Sequence, residues 1–142
     1  MRILLLMLIS LKAFCLQSIP LVDINTTSNT QLDLSSPIGV PVTSKATVGK
    51  VAHQKIDRAL FHNPVFVIGA DQLSQKWLVH HQQKLRDAQA IGFITNVDNF
   101  DIIIKLQEQT QLPLLPVNVD PLTRLFNISH YPFAITEGEL WQ

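Results

Sequence analysis

The apolar positions of the chain change their spacing several times after residue 46. Residues 47–61, TVGKVAHQKIDRALF, repeat apolar side chains at helical spacing, which predicts a helix that ends before Asn63-Pro64. Residues 64–69, PVFVIG, form a short β-branched run, as expected for a strand buried on both faces. Asp71 is expected to cap a helix that continues to about residue 89. The predicted inward positions of the two helices are Val48, Val51, Ala52, Ile56, Ala59 and Leu60, then Leu73, Trp77, His81, Lys84 or Leu85, and Ala88.

The alternation of strand and helix patterns continues toward the C-terminus. Residues 91–97, IGFITNV, predict a second buried strand, and the following helix is expected to be capped by Asp98 or Asn99. Residues 112–119, LPLLPVNV, predict a third strand. Pro116 within this strand favours an edge strand or a bulge, because proline has no N–H for a ladder. The predicted inward positions of the helix are Phe100, Ile103, Ile104 and Gln107.

The last part of the chain predicts a short helix and a hairpin. Asp120-Pro121 combines an N-cap with a proline at the first helical position. Residues 133–136 and 139–142 predict two strands that are joined by a tight turn. Strand–helix alternation implies parallel pairing with helices on both faces, and the hairpin adds an antiparallel strand. The predicted fold is therefore a three-layer α/β domain with a mixed, mostly parallel sheet and a C-terminal hairpin. The short helix is expected to turn Leu122, Leu125 and Phe126 inward.

The N-terminal part of the chain predicts export. A basic residue, the apolar run of residues 3–11 and small residues around Cys15 are typical of a secretory signal peptide, which we assign to residues 1–18. Residues 19–45 are rich in Ser, Thr, Asn and Pro and predict an extended or disordered arm. The single α/β domain is predicted over residues 46–142. We expect a periplasmic mature protein without a transmembrane span, and a lipidated Cys15 stays open as an alternative.

Charge and cysteine content exclude two classes of function. The chain has 11 basic and 11 acidic residues, and removal of the signal peptide takes away Arg2 and Lys12 but no acid, which leaves 9 against 11 and a net charge of −2. Such a chain, without a basic stripe, lacks the electrostatic footprint of a nucleic-acid-binding protein. Cys15 is the only cysteine and lies in the predicted signal peptide, so thiol–disulfide chemistry at a cysteine pair is excluded.

No residue pattern indicates a reaction or a resident metal. The two side chains of His80-His81 on a helix cannot point in one direction, and a third ligand is not nearby, so we predict no metal site. Gly69-Ala70-Asp71 lies where a strand enters a helix, the usual ligand position in parallel α/β sheets. A Gly-rich phosphate loop is missing there, so the N-cap interpretation of Asp71 is favoured. We therefore predict no cofactor and no catalytic residue.

Residues 117–136, VNVDPLTRLFNISHYPFAIT, resemble the C-terminal half of thioredoxin-like domains. In that family an acidic residue begins a short helix, and a proline, usually cis, opens the next strand. The resemblance implies a thioredoxin-like three-layer domain in which Pro132 opens a strand beside residues 64–69. The cysteine pair that normally faces this proline is absent, and residues 90–110 add a strand and a helix. A thioredoxin-like domain without cysteines resembles a docking module more than an oxidoreductase.

A second resemblance covers residues 41–142. The segments PVFVIGADQLSQKWL, AIGFITNV, LPLLPVNVDPLTRLF and ISHYPFAIT resemble a family of exported proteins encoded in integrating conjugative elements. Ala70 stands where an acidic residue is common in that family. The resemblance implies a role in DNA-transfer machinery related to type IV secretion, with other envelope proteins as partners. The family's motif corresponds here to Gly69, Asp71, Ser74, Trp77, Leu78, His130, Tyr131 and Pro132.

Two hypotheses about function follow. The first is a non-catalytic periplasmic component of conjugative DNA transfer that binds other proteins and does not contact nucleic acid directly. The alternative is a small-ligand-binding or enzymatic domain that uses a cleft near Asp71, Asp120 and His130. An exposed apolar patch would favour the first hypothesis, whereas polar atoms that converge beside an empty pocket would favour the second.

Overall fold

The computed structural model describes residues 39–59 and 61–142. The predicted signal peptide, residues 19–38 of the predicted arm and Leu60 lie outside the described residues. No helix in the described ranges is both long enough and apolar enough to cross a membrane. The elements are β1 (Thr47–Val48), β2 (Gln54–Lys55), β3 (Val65–Gly69), α1 (Gln72–Asp87), β4 (Ile91–Thr95), α2 (Phe100–Thr110), β5 (Leu114–Pro116), α3 (Asp120–Leu125), β6 (His130–Tyr131), β7 (Phe133–Thr136) and β8 (Glu139–Trp141).

Six strands form one mixed sheet in the order β2-β8-β7-β3-β4-β5. The neighbours β3, β4 and β5 are parallel, whereas β7 is antiparallel to β3 and forms a hairpin with β8. The prediction of a mixed α/β fold with a C-terminal hairpin is confirmed. The prediction of a mostly parallel sheet is wrong, because three of its five strand pairs are antiparallel. β1 and β6 form a separate parallel pair.

The core lies on both faces of this sheet. Phe66 and Ile68 of β3 belong to one cluster, which includes residues of α1 and α2. Val65 and Val67 belong to a second cluster, against which Leu122 of α3 packs. Successive strand residues point to opposite faces, so the sheet is sandwiched between α1 and α2 on one side and α3 on the other. This arrangement is compatible with a thioredoxin-like domain.

Pro132 occupies the position that the resemblance predicted. The Tyr131–Pro132 peptide bond is cis. Pro132 directly precedes β7, and β7 pairs with β3 through the register Val67 to Phe133. The prediction that this proline opens a strand next to residues 64–69 is therefore confirmed.

The prediction of a helix over residues 47–61 is wrong. The segment contains β1 and β2, and its backbone N–H groups bond to distant residues: Thr47 N–H donates to Ser129 O at 3.0 Å and Ile56 N–H to Gly138 O at 2.7 Å. Threonine, valine and glycine are weak helix formers, so pairing with the C-terminal strands decides the conformation. Among the positions expected inside, Val48, Ala52 and Ala59 are exposed.

The buried stripes of the helices are narrower than predicted. The side chains of α1 that face the core are Ser74, Leu78 and Leu85, and those of α2 are Ile103, Leu106 and Thr110. Each helix covers the sheet along one stripe, so side chains about a third of a turn away reach solvent. The residues expected inside but found exposed are Leu73, Phe100, Ile104 and Leu125, whereas Leu85, of the alternatives Lys84 and Leu85, is the one that is buried.

β5 is an edge strand, as Pro116 predicted. The Gln107 side chain of α2 donates from Nε2 to the carbonyl oxygen of Leu114 at 3.0 Å. Pro116 has no N–H, so the edge offers fewer free backbone groups than an ordinary edge strand.

Candidate functional site

Four of the family-motif residues meet at the carboxyl end of β3, and we call them the motif corner: Gly69, Asp71, Ser74 and Tyr131. Gly69 ends β3, and a Cβ atom at this position would lie 2.4 Å from Cε2 of Tyr131 and 2.6 Å from Oδ2 of Asp71. These separations are far shorter than van der Waals contact. Glycine is therefore required for the tyrosine ring and the carboxylate to approach the backbone so closely.

Asp71 is the N-cap of α1, as predicted. Its Oδ1 accepts a hydrogen bond from the Ser74 N–H at 2.8 Å, and its Oδ2 accepts one from Ser74 Oγ at 2.7 Å. Ser74 Oγ in turn accepts from the Gly69 N–H at 3.0 Å. Both carboxylate oxygens and the buried hydroxyl thus attach the start of α1 to the end of β3.

Replacement of Asp71 by alanine should lower the free energy of unfolding by about 1–2 kcal/mol, because the Ser74 N–H and hydroxyl would lose their partner in a buried position. Urea denaturation measures this loss. Asp71→Asn keeps a side-chain oxygen that can cap the helix, so it should lose clearly less than Asp71→Ala. Equal losses in the two variants would contradict the capping role.

A segment before the sheet crosses the carboxyl ends of the strands, and we call this segment, residues 42–48, the strap. Val42 forms an antiparallel bridge with Val97, which follows β4. Ser44 Oγ accepts a hydrogen bond from the Val119 N–H at 2.9 Å, at the start of α3. The predicted boundary between arm and domain, at residue 46, falls inside the strap.

Asn96 joins the strap to the motif corner. Its Oδ1 accepts from the Ser44 N–H at 2.8 Å, and its Nδ2 donates to the Ala46 carbonyl at 2.9 Å and to the Tyr131 hydroxyl at 3.1 Å. Asn96 has a φ of 51°, in the left-handed region where asparagine is favoured. Sequence reasoning missed this residue, and an asparagine directly after a buried strand was the available signal.

The three residues expected to line a cleft under the alternative hypothesis, a ligand-binding or enzymatic domain, lie in different surroundings. Asp71 belongs to the motif corner, and His130 Nδ1 lies 3.0 Å from Thr47 Oγ1 in the β1–β6 pair. Asp120 begins α3, and its Oδ1 accepts from the Lys45 N–H at 2.8 Å. Within the described ranges, no group of three or more His, Cys, Asp or Glu side chains could hold a metal ion.

A pocket of about 360 Å³ lies between the strap and α3, and we call it the strap pocket. Of the three residues of the alternative cleft, Asp120 is the one that lines it. The lining residues are Lys45, Ala46, Asp120, Thr123, Arg124, Ile128 and Ser129.

The two remaining motif residues of α1 are Trp77 and Leu78, and both pack in the core layer between this helix and the sheet. Leu78 is fully buried, as a packing residue should be. The Trp77 ring lies 4.9 Å from the His81 ring and 5.7 Å from the Trp141 ring, measured between centroids. Lys84 Nζ lies 3.8 Å from the centroid of the Trp141 ring, a cation–π contact. Trp77 therefore joins α1 to β8.

Stability should depend on pH through this aromatic cluster. Burial, followed by the charges of His80 and Lys84, lowers the pKa of His81 below its usual 6.5. A histidine with a lowered folded pKa contributes stability above the unfolded pKa, and this contribution is lost as the pH falls through the folded value. We expect the free energy of unfolding to decrease from about pH 7 to pH 5. Equilibrium unfolding at several pH values measures this slope.

The matched variants for this pH test are His81→Gln and His62→Gln. His81→Gln removes the half-buried titrating ring and should flatten the slope, whereas His62→Gln at an exposed position should keep the slope of the wild type. A wild-type slope in His81→Gln would contradict the role of His81.

The described elements form a mixed α/β domain in which the strap crosses the carboxyl ends of the strands. A comparison with known protein families shows which family the chain belongs to. Residues 18–140 match the family described as a protein of unknown function, DUF2859, and the chain belongs to this family. No curated protein and no solved structure matches the chain.

Proposed function

We propose that this protein is a non-catalytic periplasmic component of conjugative DNA-transfer machinery and acts by binding other envelope proteins. The conjugative setting is supported by the resemblance of residues 41–142 to exported proteins of integrating conjugative elements. The periplasmic location is supported by the signal-peptide pattern of residues 1–18.

The observation that carries the binding role is the position of the strap. Ligands of parallel α/β sheets usually bind outside the carboxyl ends of the strands. Here Ser44 of the strap donates to Asn96, directly after β4, and Lys45 donates to Asp120 at the start of α3. The Asp71 carboxylate, after the end of β3, is engaged by Ser74. The chain itself thus covers much of the usual ligand position, which favours a docking module over an enzyme.

Exposed apolar side chains on the sheet also favour docking. Ile91 and Phe93 of β4 lie on the same face because they are two residues apart, and Phe93 is the direct neighbour of Leu115 on β5. Ile91 is 39 % exposed and Leu115 is 47 % exposed. Neighbouring exposed apolar side chains of this kind are typical of surfaces that bind proteins.

A mating experiment tests the proposal. Deletion of the gene from donor cells should reduce the frequency of transfer, and the wild-type protein supplied in trans should restore it. Undiminished transfer after deletion would overturn the conjugative role.

His130→Gln separates the binding role from catalysis in the same assay. Glutamine can still hydrogen-bond to Thr47 but cannot act as an acid or base near neutral pH, so this variant should restore transfer. Failure of a stably folded His130→Gln protein to restore transfer would favour the alternative, a catalytic or ligand-binding site.

A further inference from the structure

We infer that the strap pocket binds an acidic peptide segment of a partner protein. The inference rests on the proposed function, since it names the surface through which the protein would dock. It depends on the size of the pocket, on its two basic side chains and on its mixed polar and apolar walls.

The size and shape of the pocket suit part of a peptide. Its volume of about 360 Å³ is within the range of small binding sites in proteins. Ala46 and Thr123 are buried and Ile128 is half-buried, so these three side chains form fixed walls. Lys45, Arg124 and Ser129 are exposed at the pocket and accessible to a partner.

The charges of the pocket favour an anionic ligand. Among the described residues, the only ion pair is between His53 and Glu139, so neither Lys45 nor Arg124 is paired with a carboxylate there. Arg124 Nε donates to the main-chain carbonyl of Asp120 at 3.3 Å, a contact that leaves the other guanidinium donors available. A guanidinium binds a carboxylate with matched planar geometry, and the lysine ammonium adds a second positive charge.

Asp120 and the apolar walls favour a peptide over an inorganic anion. One carboxylate oxygen of Asp120 accepts from the Lys45 N–H, and a carboxylate can also accept hydrogen bonds from the N–H groups of a peptide. A peptide offers a single side-chain carboxylate for the two cations, N–H donors for Asp120 and apolar atoms for Ala46 and Ile128. An acidic residue next to an apolar residue fits all of these groups.

A titration followed by NMR of the backbone amides tests the site. The probe is the blocked tripeptide N-acetyl-Ala-Glu-Leu-amide, with the corresponding Gln peptide and inorganic phosphate as comparisons. The Glu peptide should cause saturable shifts at Ala46, Thr123, Arg124 and Ser129. The Gln peptide should bind at least about tenfold more weakly, the loss expected for one hydrogen bond to a charged group.

Variants decide whether the binding belongs to the strap pocket. The double variant Lys45→Gln/Arg124→Gln should abolish the saturable shifts. Lys76 lines a separate pocket beside α1, so Lys76→Gln should leave the shifts unchanged. Equal binding of the Gln peptide, or binding that survives in the double variant, would overturn the inference. Tighter binding of phosphate than of the Glu peptide would also overturn it, in favour of a small-anion site.

The mating assay distinguishes this inference from the proposed function. If deletion of the gene abolishes transfer and the wild-type protein restores it, the double variant Lys45→Gln/Arg124→Gln should fail to restore transfer. Lys76→Gln should restore it. Full restoration by the double variant would overturn the pocket as the docking site and leave the proposed function intact. Undiminished transfer after deletion would instead overturn the proposed function, whatever the peptide titration shows.

Discussion

Gly69→Ala should lower the free energy of unfolding by about 3 kcal/mol, the upper end of the usual cost of overpacking a core. The added methyl group would lie 2.4 Å from the Tyr131 ring and 2.6 Å from the Asp71 carboxylate. Tyr131 is held by Asn96, and Asp71 by Ser74, so neither can move aside without the loss of a hydrogen bond. Urea denaturation measures the effect.

The variant Tyr131→Ala identifies the cause of this loss. If the clash with the ring dominates, Gly69→Ala should cost clearly less in the Tyr131→Ala background than in the wild type, because contacting residues are not additive. An equal cost in both backgrounds would contradict the ring contact and point to the backbone or to Asp71.

Asn96→Ala should lower the free energy of unfolding by about 2–3 kcal/mol, because three hydrogen bonds are lost and their partners in the strap and Tyr131 become unsatisfied. The strap should then be released more readily, so limited proteolysis should cut residues 42–48 faster than in the wild type.

Asn127→Ala is the matched control for this substitution. Asn127 also has a left-handed backbone, with φ of 53°, but it is exposed. Both variants therefore have the same conformational penalty for alanine. The additional decrease in the free energy of unfolding of Asn96→Ala then measures the contacts between Asn96 and the strap. Equal losses and unchanged cleavage would show that Asn96 does not hold the strap.

Features with a local cause were predictable from the sequence. The Asp71 cap depends on a residue three positions away, and the edge strand at β5 follows from the missing N–H of Pro116. Pro132 before β7 was predicted from the resemblance to thioredoxin-like domains, together with the position of β7 beside β3. The cap and the edge strand follow from the residues around them, whereas the pairing of β7 with β3 joins distant segments and was predicted from the resemblance alone.

The strap and the β1 segment depend on distant residues, and the sequence pattern could not identify their partners. Ser44 bonds to residues that are 51 to 75 positions away along the chain. The apolar spacing of residues 47–61 fits a helix, yet Thr47 and Val48 pair with β6. The strap pocket was also missed, because it brings Lys45 together with Arg124, and neither residue indicates the other in the sequence.

The edge of β5 restricts how another chain can pair with the sheet. A partner that adds a strand needs a row of open backbone groups, but here Gln107 occupies the Leu114 carbonyl and Pro116 has no N–H. If the proposed partners dock at this edge, side chains must make the contacts. Single surface substitutions would then change the preferred partner while the sheet itself stays the same.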